Sequence, residues 1–297
     1  MPMIDHEFVL QDRISKIRQM VRQYGENNFF LSFSGGKDSV ALSCLFDEAL
    51  PGNRIPRVYF NTGIEFRMML DFVRSLQERD PRIEIIGSAV PITNMLENEG
   101  YPFKSKDHSK YVRQYQVYRR HNESTYEYAN RIGAHTRKFS CPQMLACQFE
   151  PDYPLKISEK CCDRLKKDIG FQYMVKSGIQ WTVTGILAAE GGVRTRAGCI
   201  TTGGKVNRFH PLFPVSTEWV DWYIQSRSLR LCGLYYPPFN FARTGCKGCP
   251  LNIEIQSELD TLKKHLPEEY RHCEAIWEPV YSEYRRLGYR LRKQKYS

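Results

Sequence analysis

Asn28-Phe29-Phe30-Leu31-Ser32-Phe33 runs directly into Ser34-Gly35-Gly36-Lys37-Asp38-Ser39, and from there into the apolar stretch Val40 to Leu50. A short apolar run ahead of a glycine pair predicts a buried strand, a tight turn and a helix, the start of a parallel α/β unit. The glycines let the backbone approach a ligand closely, and the helix offers unpaired N–H groups and the positive end of its dipole. A phosphate or sulfate group is expected there, met by main-chain donors, the Ser34 and Ser39 hydroxyls and the Lys37 ammonium. The loop is not a Walker A motif, which places four residues between its first glycine and Gly-Lys; here Gly35 directly precedes Gly36-Lys37. An ordinary glycine-rich turn is the blander alternative, but folding alone gives no reason for the lysine, the aspartate and the two serines.

The alternation continues along the chain. Val9, Ile14, Ile17, Met20 and Val21 recur at near-helical spacing, which predicts an opening amphipathic helix over 6–24. Strands are expected at 57–60, 83–86 and 181–186, with a helix over 65–78. Repeated strand-then-helix units imply a mostly parallel, Rossmann-like sheet covered on both faces. Ligands of such sheets sit beyond the carboxyl ends of the strands, where the glycine turn falls. Residues 101–150, rich in Tyr, Arg, Lys, His and Ser, break the rhythm and read as a partly helical insertion. Beyond Tyr236-Pro237-Pro238 the pattern becomes two helices between Ile253 and Gly288, separated near Pro267. Two parts are therefore expected: an α/β nucleotide-binding domain over 1–235 with the insertion, and a C-terminal segment over 236–297 packing on it.

Cys161 and Cys162 are adjacent, and Cys246 and Cys249 form a C-x-x-C pair. Four thiolates in this order suit an iron–sulfur cluster, because the irons of a cubane are separate atoms and neighbouring cysteines can each take a different one. A single tetrahedral zinc fits less well, since zinc sites usually space each half-site by two to four residues. Unrelated thiols are the remaining alternative. Cys44 reads as a small buried hydrophobe, while Cys141, Cys147, Cys199 and Cys232 find no convincing partners in sequence.

Net charge is +10, from 43 basic and 33 acidic residues. That balance favours an anionic partner, a phosphorylated small molecule or a nucleic acid, without choosing between them. No apolar run reaches the ~18 residues that span a bilayer, and the N-terminal residues lack a secretory pattern. The expected compartment is the cytoplasm, where the ten cysteines serve as thiols and metal ligands rather than disulfides.

Ser-Gly-Gly-Lys-Asp-Ser after a strand resembles the signature of the PP-loop proteins, the adenine nucleotide alpha hydrolases. Within them the chain resembles the phosphoadenosine phosphosulfate (PAPS) reductase family. Asn61-Thr62-Gly63-Ile64-Glu65-Phe66 is similar to that family's Asp/Asn-Thr-Gly-x-x-Phe motif, although Arg67-Met68-Met69 replaces the usual Pro-Glu-Thr. Thr184-Gly185-Ile186 through Glu190 and Arg194 is similar to its Gly-x-Arg-x-x-Glu-Ser-x-x-Arg segment, with Leu187 and Gly191 departing from it. His210-Pro211-Leu212 and the stretch from Trp219 to Ile224 resemble a further motif of the family.

The resemblance implies that Ser34 to Ser39, Asn61, Thr62, Gly63, Gly185, Glu190 and Arg194 bind an adenine nucleotide: adenosine phosphosulfate (APS), PAPS or ATP. It implies a [4Fe-4S] cluster on Cys161, Cys162, Cys246 and Cys249, with Lys166, four places after the second cysteine, between cluster and substrate. Lys37, Lys166 and Cys273 are thus the catalytic candidates. Reductases of the family also use a cysteine in a C-terminal Glu-Cys-Gly-x-His motif, which this chain lacks. Cys273 is the only cysteine after the C-x-x-C, and it shares a helical stripe with Leu266, Tyr270 and Trp277 that suits a buried position better than a nucleophile.

Two kinds of chemistry follow. One is sulfonucleotide reduction or related sulfur chemistry, with a thiol reductant as partner. The other is ATP-dependent sulfur transfer to tRNA or DNA, with a sulfur donor as partner, Asp38 helping to hold Mg²⁺ and the basic, tyrosine-rich insertion contacting nucleic acid. A nucleotide-binding module without turnover is a third reading.

Overall fold

The structure, a computed structural model, describes residues 6–88, 90–118, 141–190 and 198–293. These fall into two compact units. One takes in Met1–Asn61, Arg67–Gly87 and Ile169–Thr244, and the other Thr62–Phe66, Ser88–Asp168 and Gly245–Ser297.

The first unit is built on a six-stranded sheet in the order β3-β2-β1-β4-β6-β5. Its strands are β1 (Phe29–Ser32), β2 (Arg57–Asn61), β3 (Ile83–Gly87), β4 (Trp181–Val183), β5 (Ile200–Thr201) and β6 (Asn207–Phe209). All neighbours are parallel except the edge pair β5 and β6. Helices α1 (His6–Tyr24), α2 (Lys37–Ala49), α3 (Arg67–Gln77), α6 (Asp168–Ser177) and α7 (Thr217–Ser226) lie in the connections or flank the strands in sequence.

Strand β1 shows why both faces are covered. Its residues alternate sides: Phe29 and Leu31 join one apolar cluster with Ile17 of α1, Leu45 of α2 and Trp219 of α7. Phe30 points the other way and packs with Val58, Met174 and Ile179. A strand with an apolar residue on each face reads as a continuous hydrophobic run, as the sequence 29–31 does. Chain order reverses at β1, since β2 and β3 lie on one side of it and β4 on the other. That switch point is where an open α/β sheet leaves a crevice at its carboxyl edge.

The second unit contains α4 (Ile92–Glu99), α5 (Lys106–Tyr118), α8 (Ile255–His265) and α9 (Pro267–Leu287). Helix α9 begins with Pro267 in its first turn, where a missing N–H costs nothing, and ends on Gly288 in the left-handed conformation. The single cut expected near residue 235 differs from this grouping: residues 88–168 assemble with the C-terminal segment, and Thr62–Phe66 joins them. No helix among the described residues is long and apolar enough to cross a membrane.

Candidate functional site

In the first unit, Ser34 to Ser39 follows the carboxyl end of β1 and opens α2, with Gly36 at its N-cap. Gly35 has φ +71, and a Cβ there would come within 2.5 Å of Met69 Sδ and 2.8 Å of Val73 Cγ2, so only glycine fits this turn. The loop's hydroxyls hold one another. Ser34 N–H donates to Ser39 Oγ at 3.2 Å, Gly36 N–H donates to Ser34 Oγ at 3.3 Å, and Ser39 Oγ donates to Gly36 O at 2.8 Å. Gly185, just beyond β4, lies so close to this helix start that a Cβ would sit 3.0 Å from Asp38 O.

Tyr235 and Thr244, which no motif marked, and Asp221, from the 219–224 stretch, complete this neighbourhood. Lys37 N–H, the first amide of α2, donates to Tyr235 Oη at 3.1 Å, and that phenol is 2.8 Å from Thr244 Oγ1. Lys37 Nζ pairs with Asp221 at 3.0 Å. Asp221 and Tyr235 each lie more than 180 residues along the chain from Lys37, so no local pattern could have found their pairing with it.

The second unit holds Thr62, Gly63, Lys166 and the four cysteines. Thr62 donates to Glu65 twice, from its N–H to Oε2 at 2.9 Å and from its hydroxyl to Oε1 at 2.7 Å. This closes the turn over Gly63, whose φ is +81. Lys166 Nζ stands 3.8 Å from the same Oε1. Its neighbours Arg164 and Lys167 are engaged elsewhere, Arg164 with Glu99 and Asp168 and Lys167 with Asp163. The three cations beside the cysteine pair therefore differ in direction, and Lys166 is the one that faces the thiols. Residues 163–167 form a π-helical stretch ahead of α6, a local widening often found at functional positions.

The charge coupling among these groups is mutual. Cys246 is the main influence holding the Lys166 ammonium in its charged form, with Glu65, Cys162 and Cys249 acting in the same direction against burial. Cys161 is buried, and Cys162, Cys246 and Cys249 are partly so. Cys161 Sγ donates toward Cys162 Sγ at 4.0 Å. That bond, then burial, pushes Cys161 up; Cys162 is held down by the same bond, helped by Lys106 and Lys166. Burial pushes Cys246 and Cys249 up as well. A metal bound here would displace the protons that these surroundings keep on Cys161, Cys246 and Cys249. Among the described residues, no three His, Cys, Asp or Glu side chains are arranged to hold a metal ion.

Cys273 lies on α9 and is fully buried, and burial pushes its thiol up to about 12. It backs the C-x-x-C turn: Gly248 has φ +62, and a Cβ there would come within 2.8 Å of Cys273 Sγ and 2.5 Å of Tyr281 Oη. Glu190 ends a 3-10 turn that begins at Ala188; Arg194 lies outside the described residues, as do residues 119–140 of the basic insertion.

A family model for the phosphoadenosine phosphosulfate reductase domain matches residues 28–252, a span that contains the phosphate loop and all four cysteines. A comparison with curated protein sequences gave no match. Similar solved structures include phosphoadenylyl-sulfate reductase from Candida auris in a phosphate complex, with 10% identity over 80% of this chain and 95% of that one and a TM-score of 0.44. Another is the NH3-dependent NAD synthetase of Campylobacter jejuni, with 13% identity over 94% and 96% and a TM-score of 0.42. A third is the FMN adenylyltransferase of Candida glabrata with FAD and pyrophosphate, with 12% identity over 79% and 64% and a TM-score of 0.44.

Proposed function

Because the chain belongs to the phosphoadenosine phosphosulfate reductase domain family, we propose that it is an enzyme of sulfur chemistry. In this reading it binds an adenine nucleotide by its phosphates at Ser34 to Ser39 and holds a [4Fe-4S] cluster on Cys161, Cys162, Cys246 and Cys249. The observation that carries the proposal is the set of four thiols, drawn from two distant stretches of sequence into one unit, with three of them, Cys162, Cys246 and Cys249, acting on a single ammonium, Lys166. The donors fit the group: all four are soft sulfur ligands of the kind that select iron–sulfur centres.

A bound cluster supplies redox-active iron held by thiolates. The chain's own residues do the rest. Lys166 offsets negative charge on the thiolates, and Glu65 keeps that ammonium and the Thr62 turn in place. The α2 N-terminus and the Lys37 ammonium meet phosphate oxygens, with Asp221 yielding its hold on Lys37 to a ligand of greater charge.

A second reading, ATP-dependent sulfur transfer to tRNA or DNA, is favoured by one observation. Reduction of an activated sulfate needs a thiolate that attacks sulfur, and Cys273, the only cysteine beyond the C-x-x-C, is enclosed and protonated at neutral pH.

The two separate by product. Protein purified without oxygen is offered PAPS or APS with a thiol reductant, and ATP with Mg²⁺ in the presence and absence of tRNA or DNA. Sulfite release supports the first reaction, and pyrophosphate release stimulated by nucleic acid supports the second. Failure to bind any of the three nucleotides contradicts the proposal.

A further inference from the structure

The C-x-x-C turn is fixed from behind by side chains of α8 and α9, two of them carboxylates: Glu269 of α9 pairs with the Lys247 ammonium, and Glu258 of α8 meets the turn's backbone. Glu258, in the first turn of α8, accepts from Gly248 N–H through Oε1 at 2.7 Å and from Asn252 Nδ2 through Oε2 at 2.6 Å. Burial pushes this carboxyl up, and the Gly248 and Asn252 donors, which use both of its oxygens, favour the ionised form against that. Helix α9 takes the turn's carbonyls. Trp277 Nε1 donates to Lys247 O at 3.1 Å, Tyr281 Oη to Gly248 O at 2.5 Å and Tyr284 Oη to Pro250 O at 2.8 Å. The two cysteines of the turn therefore project from a backbone whose Gly248 N–H and whose Lys247, Gly248 and Pro250 carbonyls are already taken.

We infer that Glu258 is a positioning residue for the cysteine site, one that also sets the charge beside the group held there. The inference rests on the [4Fe-4S] reading above. Gly248 lies between the two cysteines of the turn, and its N–H is a donor that a ligand sulfur would otherwise attract. Here it is given to a carboxylate instead. The site thus loses one hydrogen bond to sulfur and gains a negative charge behind the turn, and both changes lower the reduction potential of a cluster. Lys166 opposes them from the other cysteine pair. Glu258 and Lys166 are accordingly two opposed charges beside the centre, while Lys247, within the turn, is already paired with Glu269 of α9.

The test uses the full chain, reconstituted with iron and sulfide under anaerobic conditions, as wild type, Glu258→Gln and Glu258→Leu. Glutamine keeps an oxygen for Gly248 N–H and removes the charge. Its iron content should equal that of the wild type, with a midpoint potential, followed by absorbance and electron paramagnetic resonance, shifted to a more positive value. Leucine leaves Gly248 N–H and Asn252 without their acceptor and should lose roughly half or more of the iron. An unchanged potential in Glu258→Gln, or full iron retention in Glu258→Leu, overturns the inference. Should Glu258→Leu fail to fold by circular dichroism, the Glu258→Gln potential decides alone. A wild type that takes up no cluster is a separate failure, removing the iron–sulfur reading and this inference with it.

Discussion

Lys166 Nζ lies 3.8 Å from Glu65 Oε1, the same oxygen that accepts the Thr62 hydroxyl. One carboxylate thus ties the Thr62-Gly63 turn to the cation that faces the cysteines. Replacing Lys166 with glutamine removes the charge while keeping most of the side chain's length. Turnover, measured as sulfite or pyrophosphate release, should fall roughly 100-fold, the scale of losing one fixed electrostatic contact in an active site. Iron content and the circular dichroism spectrum should stay at wild-type values. An unchanged rate would make Lys166 a surface charge.

The phosphate loop makes a steric prediction. Gly35→Ala places a Cβ against Met69 and Val73 at a positive φ, which should cost about 2–3 kcal/mol of stability in chemical denaturation. Nucleotide affinity should fall roughly tenfold, the equivalent of about 1.4 kcal/mol, because the N–H groups of the loop no longer converge. Titration calorimetry with PAPS, APS and ATP checks the second effect separately from the first.

Cys273 is expected to matter for packing and not for chemistry. Cys273→Ala should lower stability by about 1–2 kcal/mol through the space it leaves behind Gly248, with turnover within twofold of wild type, well under the ~1.4 kcal/mol that a tenfold change represents. Loss of turnover with the fold intact would assign it the nucleophile's role instead.

Much of the first unit was legible from residues close in sequence. The β1–loop–α2 passage announces itself because an apolar run, two glycines and a helix start are contiguous, and the C-terminal helices are visible from their spacing and Pro267. Strands β5 and β6, two and three residues long, are too short to set up a periodicity and emerge only from pairing, β6 with β4 and β5 with β6. The adjacent cysteines and the C-x-x-C mark themselves by spacing. Their surroundings do not: Glu65 meets Lys166, and Tyr235 and Asp221 meet Lys37, across about 100 residues or more of chain, through folding alone. The joining of Thr62–Phe66 to the second unit is of the same kind, a consequence of contacts such as Lys247 N–H to Ile64 O at 3.0 Å.

His108 predicts a pH dependence. It is fully buried on α5, with Nε2 2.5 Å from Gln148 Oε1, and burial, aided by the charges of Lys104 and Arg290, pushes it down to about 4. The folded chain keeps this ring neutral while the unfolded chain protonates it near the usual histidine value. The unfolded state therefore binds more protons below that value, and stability is lost as pH falls from about 6.5 toward 4, by about 3 kcal/mol. Denaturation at pH 7.5, 6 and 5 measures the slope. His108→Asn should be less stable at pH 7.5 but show a shallower fall, and an equal slope in both proteins would remove His108 as the cause.

The central claim is that Cys161, Cys162, Cys246 and Cys249 hold one iron–sulfur cluster, and its most direct test is the iron and acid-labile sulfide content of protein purified without oxygen. About four irons and four sulfides per chain, with the broad visible absorbance lost in Cys161→Ser and in Cys246→Ser, is the predicted result. A colourless protein carrying zinc, or carrying no metal, would contradict it.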